Sequence, residues 1–431
     1  MIKAFVRNIV TNILEAESKL VLKKYHPKII AVTGSVGKTS AKDAIFAVVG
    51  EALVARKSMK SFNSEIGLPL TILNCENGWS NPLLWSKNIL KGILLVATRV
   101  HYPKWLVLEL GAGKPGDISR AAALVVPDIV VVTRFGEVPV HVEFFKSPEE
   151  LFDEKAALVK ALRNTGVLIV NADDERVLAL REKTKAKSLT YGLSAGAMFR
   201  ATNIQTAYEG DTPIGTTFKL EHEGGVFPVT MQGVLGVQPV YSALVAIATG
   251  AYLKLNIVDI IGHLSAHMSP PGRMRVIPGL KGSIIIDDTY NASPVAAEAA
   301  LEALKNVKTK GRKIAVLGDM LELGKFTIEE HQKLGKQAGE IATLVLAVGP
   351  RAKYIIEGAL ASDMSEKDLI EFDDSHLAGK YLESIIKAGD MVLVKGSQGM
   401  RMERAVEEIM AEPARAGELL VRQEEEWKEK A

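Results

Sequence analysis

The chain has 431 residues, of which 47% are apolar and 24% are charged, and its formal net charge is +2. This length exceeds one ordinary hydrophobic core, so two or three domains are expected, and the balanced charge gives no argument for a nucleic-acid partner. The single cysteine, Cys75, excludes a disulfide framework and favours a reducing compartment. We interpret Cys75 as a small buried residue rather than a nucleophile, because no histidine pattern accompanies it.

The N-terminal 28 residues read as an amphipathic helix rather than a signal peptide, because Arg7 and Asn8 interrupt the apolar run. A second amphipathic segment covers residues 82–105, and its charged side chains are all basic. No apolar run reaches about 18 residues, so no spanning helix is expected. For both segments, packing on the protein's own core and contact with a membrane surface remain open.

Short apolar runs alternate with helical stretches from residue 29 onward. The runs are rich in Val, Ile and Leu without polar alternation, which is typical of strands buried on both faces. The predicted strands are 29–33, 105–110, 129–133 and 167–170, with helices at 38–49 and 147–162. This rhythm predicts an α/β domain with a mainly parallel sheet.

The pattern changes at residues 197–232, where alternating Thr, Phe and Val predict a small antiparallel patch. A helix at 240–255 follows, and the proline- and glycine-containing segment 269–279 reads as a linker. The α/β rhythm then restarts with predicted strands at 283–286, 313–317, 344–348 and 391–394, and helices at 294–305, 328–341 and 377–388. We therefore predict an N-terminal helix over 1–28, one domain over 29–270 and a second over 271–431.

The segment TGSVGKTS, residues 33–40, predicts a phosphate-binding loop, since it follows a strand and opens a helix. The first glycine of the usual G-x-x-x-x-G-K-[ST] pattern would fall at Val32, so an incidental glycine turn is the alternative. Glycines let backbone amides turn toward phosphates, the helix N-terminus adds partial positive charge, and a lysine reaches the β and γ phosphates. The predicted phosphate contacts are Gly34, Ser35, Val36, Gly37, Lys38, Thr39 and Ser40, with the hydroxyl of Thr39 or Ser40 for Mg²⁺.

Glu109 lies in the buried strand of LVLELGAGKPGD, where an unpaired carboxylate would be costly. We favour a metal ligand over an ion-paired core residue, because ligands collect at the carboxyl ends of parallel strands. His141 follows another strand, and Lys155 lies on the next helix. Taken singly, these two residues are unremarkable.

Together these motifs resemble the Mur ligase family, the ATP-dependent amide ligases of peptidoglycan synthesis. The loop is similar to that family's form, T-G-[ST]-x-G-K-[ST]-[ST], and SFNSEIGLPLTIL, LELGA and NADD occupy the expected places along the chain. In the C-terminal half IIIDDTYNASP, AVLGDMLELG and VLVKGSQGMRMERAV resemble the branch that adds D-alanyl-D-alanine to a muramoyl tripeptide. The resemblance extends over nearly the whole chain from residue 29.

The resemblance implies a P-loop-type, mainly parallel-sheet ATPase domain followed by a Rossmann-like α/β C-terminal domain. It implies ATP, two Mg²⁺ sites and an acyl-phosphate intermediate, with muramoyl peptide and D-Ala-D-Ala as substrates. Catalytic roles fall on Lys38, Lys155, His141 and Arg273, and metal roles on Thr39, Glu109, His141 and a carbamylated Lys155. Further nucleotide contacts fall on Asp288, Tyr290 and Asn291, and substrate contacts on Asn63 and Ser397.

The sequence departs from the family pattern at three places. The family usually carries an N-terminal domain that binds the UDP part of the substrate, and 28 residues precede the first strand here. The H-N-x-x-N pattern is replaced by one with Gln238 and Ser242, which puts base selectivity in doubt, and Gln398 stands where an arginine is common. Open alternatives are a ligase for a non-UDP substrate (polyglutamyl, cofactor-amidating or lipid-linked) and a nucleotide-binding scaffold without turnover.

For partners and location, the expectation is a cytoplasmic monomer that acts on small molecules and binds no nucleic acid. A peripheral contact with the inner face of the membrane remains open, as does replacement of a UDP-binding domain by the two amphipathic segments.

Overall fold

The computed structural model of the chain describes residues 2–50, 52–59, 65–79 and 81–428. Two compact units emerge from the packing of the backbone. The first comprises Met1–Phe135, Phe144–Arg200 and Ser242–Leu264, and the second comprises Gly136–Glu143, Ala201–Tyr241 and Ser265–Ala431.

The first unit contains a parallel sheet of apolar strands, most of whose residues are buried. Its strands are β1 (Lys28–Thr33), β2 (Ala55–Lys57), β3 (Trp105–Glu109), β4 (Ile129–Val132), β5 (Val167–Asn171) and β6 (Lys187–Gly192). Their spatial order is β2-β3-β1-β4-β5-β6, with every neighbouring pair parallel. Strand β1 therefore lies between β3 and β4, so the loop after β1 opens at the carboxyl edge where the strand order reverses, which is where open α/β sheets bind ligands.

Helices cover this sheet, and several begin at the capping residues that the sequence provides. They are α1 (Ile2–Tyr25), α2 (Lys38–Val49), α3 (Gly67–Leu73), α4 (Pro82–Ala97), α5 (Asp117–Leu124), α6 (Pro148–Lys160), α7 (Glu175–Ala179), α8 (Val237–Tyr252), whose first five residues belong to the second unit, and α9 (Ile257–Ala266), whose last two do. Asn81 caps α4 by accepting from the amides of Leu83 and Leu84, and Ser147 caps α6 by accepting from Glu150. Proline occupies the first turn of both helices, where its missing N–H costs nothing.

Three long strands lie mainly in the second unit: β7 (Phe199–Glu209), whose first two residues still belong to the first unit, β8 (Thr212–His222) and β9 (Gly225–Gln232). Strands β8 and β9 pair antiparallel from Gly215–Gln232 to His222–Gly225. Their exposed and buried residues largely alternate, as expected when one face of a sheet remains in solvent. The antiparallel patch that the sequence predicts is present.

A second sheet forms the rest of this unit. Its strands are β10 (Arg275–Pro278), β11 (Ile284–Asp288), β12 (Lys313–Gly318), β13 (Leu344–Val348), β14 (Leu369–Phe372) and β15 (Met391–Lys395), in the order β10-β11-β15-β12-β13-β14. All neighbours are parallel except β10, which runs antiparallel to β11. Its helices are α10 (Pro294–Asn306), α11 (Thr327–Ile341), α12 (Ala352–Leu360), α13 (Ser375–Ile385), α14 (Glu403–Ile409), α15 (Ala416–Leu419) and α16 (Glu425–Lys428).

The mixed α/β fold with mainly parallel sheets is confirmed, while the linker prediction for 269–279 is wrong over its second half. Residues Arg275–Pro278 form β10, whose register pairs Arg275 with Asp287 and Pro278 with Ile284. Pro278 ends an edge strand, a position that tolerates a missing backbone donor. The domain boundaries near 28 and 270 stay predictions.

Candidate nucleotide-binding site

The loop between β1 and α2 is shaped by two glycines with left-handed backbone angles. Gly34 has φ 133° and Gly37 has φ 82°, and Gly37 caps α2. A Cβ atom on Gly34 would lie 2.0 Å from Oγ1 of Thr133 and 3.0 Å from its carbonyl oxygen. Gly34 is therefore required both by its φ and by the close approach of the chain after β4.

The backbone amides of the loop fall into two groups, those that donate to a carbonyl of the protein and those at the start of α2. The N–H groups of Ser35 and Val36 donate to the carbonyl of Arg134 at 2.9 and 3.1 Å. The amides of the first turn of α2 have no acceptor within the helix, and they carry the positive end of its dipole. In this structure the anion-attracting part of the loop is thus the turn that begins at Lys38, rather than the amides of Ser35 and Val36.

Two lysines converge on Ser35. The ammonium of Lys38 donates to the carbonyl of Ser35 at 3.3 Å, and the ammonium of Lys155, on α6, donates to its hydroxyl at 3.0 Å. The sequence predicts both lysines as site residues, and the structure places them on the same loop although 117 positions separate them along the chain.

Lys155 is 2% exposed, and its ammonium lies 5.2 Å from the ring centre of Phe135. Burial, followed by repulsion from Lys38, lowers the pKa of Lys155 well below its ordinary value. Among the described residues no carboxylate forms an ion pair with it, so no opposite charge offsets the cost of burying its own. The shift is toward the neutral amine, which is the form of the side chain that can act as a nucleophile.

Glu109 ends β3 directly beside the loop, since the strand register pairs it with Val32 of β1. Its side chain is buried, and its Oε2 lies 3.9 Å from the ammonium of Lys42, a residue of α2. Lys42 also donates to the carbonyl of Ser58 at 2.9 Å, and burial lowers its pKa. The sequence offers an ion pair or a metal for Glu109; the structure supplies the ion pair, and the metal role stays a prediction.

In the second unit, the site residues predicted from IIIDDTYNASP gather at the carboxyl ends of β11 and β15. The carboxylate of Asp288 forms a 2.5 Å ion pair with Lys395 and accepts from the amide of Met274 at 3.2 Å. The same ammonium donates to the carbonyl of Asn291 at 3.0 Å. Both oxygens of Asp288 thus have protein partners, so its predicted ribose contact remains a prediction.

Arg273 and Tyr290 form a stacked pair in this unit. The guanidinium carbon of Arg273 lies 3.9 Å from the ring centre of Tyr290, a cation–π contact. The residue before Arg273, Gly272, has a φ of 69°, and its carbonyl accepts a hydrogen bond from the amide of Tyr290 at 3.1 Å. This bond holds the two backbone segments together. A planar cation on an aromatic ring is suited to face a phosphate or a base.

The backbone that follows β11 and carries Tyr290 is held by a network of buried charged side chains. Arg422 donates to Glu403 at 2.7 Å and to the carbonyls of Thr289 and Tyr290 at 2.6 and 3.0 Å. Arg401 donates to the other oxygen of Glu403 at 2.6 Å. Glu403 is thereby paired on both oxygens, and the network fixes the backbone on which Tyr290 stands.

His141 belongs to the second unit, unlike Glu109 and Lys155. Its Nδ1 lies 2.5 Å from Oε2 of Glu322, whose pKa this contact lowers. His141 and Glu322 both have positive φ, 73° and 64°. The predicted metal role of His141 stays a prediction; in this structure its Nδ1 is occupied by Glu322.

The two predicted substrate residues, Asn63 and Ser397, stay predictions. Asn63 lies outside the described residues. Ser397 is buried, and its hydroxyl accepts from the amide of Leu321 at 2.8 Å. Ser242 is buried on α8, and the amide of Gln398 donates to the side chain of Asn291 at 3.3 Å.

Cys75 is buried, as the sequence suggests, and burial raises the pKa of its thiol to about 11. A raised thiol pKa lowers the thiolate fraction, which agrees with the interpretation of Cys75 as a buried packing residue.

The donors near the loop suit magnesium. Within the described ranges no three His, Cys, Asp or Glu side chains gather as a ligand set. Mg²⁺ usually keeps several waters and is held by one or two carboxylates together with substrate phosphates. The hydroxyl of Thr39, on the first turn of α2, and the carboxylate of Glu109 fit that donor pattern.

Sequence reasoning missed Lys42, Lys395 and Arg422, the cations that pair with Glu109, Asp288 and Glu403. Lys42 lies four residues after Lys38 on α2, whereas Glu109 ends β3. Residue spacing within α2 alone does not show that the two side chains meet. Lys395 could have been found from VLVK, where a charge ends an apolar strand.

The strand, glycine loop and helix define a nucleotide-binding α/β protein of the phosphate-loop class. Residues 32–250 match the model of the Mur ligase middle domain, and residues 272–398 match that of the Mur ligase glutamate ligase domain. The chain belongs to the Mur ligase family, and the resemblance seen in the sequence is confirmed.

Relatives and solved structures agree. The UDP-N-acetylmuramoyl-tripeptide–D-alanyl-D-alanine ligase of Bacillus subtilis is 30% identical over 403 residues, covering 93% of this chain and 79% of that protein. The enzyme of the same name from Mycobacterium leprae is 30% identical, covering 86% and 71%. The crystal structure of MurF ligase from Thermotoga maritima in complex with ADP has a TM-score of 0.76 and 26% identity, covering 92% of this chain and 83% of that one.

None of the helices in the described part of the chain has the length and apolar content that crossing a bilayer requires.

Proposed function

We propose that this chain is an ATP-dependent amide ligase that adds D-alanyl-D-alanine to a muramoyl tripeptide in peptidoglycan precursor synthesis. The observation that carries the proposal is the convergence of Lys38 and Lys155 on one glycine loop at the sheet edge. The names of relatives that align with most of this chain supply the substrates.

The chemistry requires activation, since a carboxylate and an amine do not condense at neutral pH. A carboxylate oxygen of the tripeptide attacks the γ-phosphorus of ATP. The bond between the γ-phosphorus and the oxygen that bridges the β and γ phosphates breaks, which releases ADP and leaves an acyl phosphate. The amine nitrogen of D-Ala-D-Ala then attacks the acyl carbon, phosphate leaves with the former C–O electron pair, and the amine loses a proton. Lys38 and the first turn of α2 offset the negative charge on the phosphates through both steps.

Magnesium bound at the phosphates would neutralise charge on them, as in other phosphoryl-transfer sites. For this chain, Thr39 and Glu109 are the proposed residues at the first site, and His141 and Lys155 at the second. Lys42 holds the carboxylate of Glu109 in the buried strand end.

We propose further that Lys155 carries a carbamate. Its neutral amine attacks CO₂, and loss of one proton leaves a carboxylate-like anion on the side chain. The absence of an ion-paired carboxylate among its described neighbours, and the nearby charge of Lys38, both favour an anion at this position. The carbamate would place negative charge beside Ser35.

The nucleotide roles of Arg273, Asp288, Tyr290 and Asn291 are part of the same proposal. The Arg273–Tyr290 stack supports it by presenting a cation on an aromatic face. Substrate contacts for Asn63 and Ser397 are likewise proposed from the family pattern, as are a cytoplasmic location and a monomeric state.

The test is to incubate the chain with ATP, Mg²⁺, UDP-MurNAc-tripeptide and D-Ala-D-Ala, measuring phosphate release and product mass. Phosphate release with formation of the pentapeptide product supports the proposal. Release with a non-UDP muramoyl peptide or another acid alone supports the alternative substrate class. No release with any acceptor contradicts the proposal and favours a scaffold. Lys38→Ala should lose turnover, while Lys336→Ala, an exposed lysine of α11, should keep it.

A further inference from the structure

Helix α4 is apolar on two opposite sides. Trp85, Ile89, Leu95 and Val96 are partly buried against the core of the first unit. Leu83, Leu90 and Leu94 lie on the other side, 79%, 60% and 58% exposed. Their spacing of seven and four residues places them in one stripe along the helix.

Contacts on its inner side fix the rotation of α4. Gly92 faces the carboxylate of Glu17 on α1 so closely that a Cβ would lie 1.9 Å from Oε2. The side chain of Asn88 donates to the carbonyl of Glu76 at 2.8 Å. At the C-terminus, Lys24 donates to the carbonyls of Leu95, Val96 and Thr98. These contacts hold the leucine stripe toward solvent, since turning it inward would break them all.

Other exposed apolar side chains extend the stripe. Ile93 is 50% exposed, and Trp79, whose carbonyl accepts from the indole of Trp85 at the helix start, is 43% exposed. Together, Trp79, Leu83, Leu90, Ile93 and Leu94 form what we term the α4 apolar face.

The charged residues of the segment that carries this face are all basic. Residues 77–108 contain no Asp or Glu, but they contain Lys87, Lys91, Arg99 and Lys104. Lys87 is exposed and falls within the leucine stripe by its position four residues after Leu83. A run of this length without an acidic residue stands out in a chain with 51 of them.

A small basic cavity adjoins the start of the helix. It has a volume of about 220 Å³, and its charged lining consists of Arg56, Lys57, Lys87, Lys91 and one carboxylate, Glu76. Lys57 is neutralised by Asp43 at 2.6 Å, and Arg56 donates to the carbonyl at the end of α3 at 3.0 Å. Lys87 remains at its mouth as an exposed cation.

We propose that the α4 apolar face docks on a bilayer surface that carries anionic headgroups. Exposed leucines with a flanking tryptophan and basic side chains are the combination that lies in the interface of such a membrane. The 16 residues of α4 are too short to span a bilayer but suit a position in its plane. A protein partner is less well matched, because interface cores favour Tyr, Arg and Met over an aliphatic stripe.

The test is flotation of the full chain with vesicles of phosphatidylcholine alone or mixed with phosphatidylglycerol, without nucleotide. We expect binding to the mixed vesicles and weakening by salt. Leu90→Gln with Leu94→Gln should reduce the bound fraction by about tenfold or more. Lys87→Glu with Arg99→Glu should reduce it by about tenfold.

The matched controls are Leu360→Gln with Leu377→Gln, exposed leucines of the second unit, and Lys336→Glu with Lys367→Glu. Both should bind vesicles like the parent chain. The proposal is overturned if the parent chain binds neither vesicle type, or if the α4 variants bind as well as it does. It is also overturned if the parent is a dimer that the leucine changes convert to a monomer without vesicle binding, since the face would then be a self-interface.

Discussion

The ammonium of Lys155 donates a 3.0 Å hydrogen bond to the hydroxyl of Ser35, in the middle of the glycine loop. A side chain from α6 is thereby held against the phosphate loop. Because Lys38 donates to the carbonyl of the same serine, the two lysines are coupled through one residue and through their charges.

Replacing Lys155 with alanine should remove nearly all ligase turnover while leaving the fold intact. The anion proposed on Lys155 would be lost, and added short carboxylates should restore part of the rate by occupying the space. Turnover is measured by phosphate release, and isotope-labelled bicarbonate followed by NMR reports the carbamate itself. Lys160→Ala, an exposed lysine at the end of the same helix, is the control. Full activity in Lys155→Ala would show that the carbamate role is wrong.

Gly34→Ala should abolish nucleotide binding. The new Cβ would meet the Thr133 side chain and backbone, and the φ of 133° is unsuited to alanine, so the loop must shift. Gly116 gives a matched control, since its φ is 92° but a Cβ there would meet nothing within 4 Å. Gly116→Ala tests positive φ alone and should cost about 1 kcal/mol of stability with ATP affinity retained. Equal loss of affinity in both variants would contradict the importance of the Thr133 contact.

The sequence predicts most of the scaffold, because buried parallel strands are uniformly apolar and glycine loops have fixed spacing. Strand β13 is placed at its observed bounds, and α2 likewise. The prediction of a linker over Arg275–Pro278 is wrong because these residues pair with β11, and local composition does not reveal that partner.

For the candidate site, the sequence predicts individual residues but not the contacts between them. Lys38 follows from the loop motif, and Lys155 follows from family likeness, but their meeting at Ser35 depends on how α6 packs. The pairing of Glu109 with Lys42 and of Asp288 with Lys395 depends on strand order and register, which one-dimensional patterns leave open.

Arg422→Met should destabilise the second unit by about 1–3 kcal/mol, because one oxygen of buried Glu403 and the carbonyls of Thr289 and Tyr290 lose their donor while Arg401 keeps the other oxygen paired. Urea unfolding followed by circular dichroism measures the loss. Arg415→Met is the control, since its bond to Glu418 is of similar length, 2.8 Å, but lies in solvent, and it should leave the unfolding midpoint unchanged. Equal effects of the two changes would mean that burial does not matter for the network.

Glu17→Gln should raise the melting temperature at alkaline pH and have little effect near pH 4.5. Burial raises the pKa of Glu17 from 4.5 to about 7, and its Oε2 has no hydrogen-bond partner among the described residues. The folded state therefore holds the proton more tightly than the unfolded chain, so wild-type stability falls as pH rises from about 4.5 to 7 and stays reduced above it.

Glutamine keeps the size of the side chain and removes this penalty, so the gain should be a few degrees at about pH 8. The neighbouring thiol of Cys75, with its pKa raised to about 11, does not titrate in this window. Thermal melts of the variant and wild type across the range measure the difference, with Glu366→Gln, an exposed glutamate, as the control. A difference that is constant with pH would show that Glu17 has the same pKa in the folded and unfolded states, which would contradict the raised pKa.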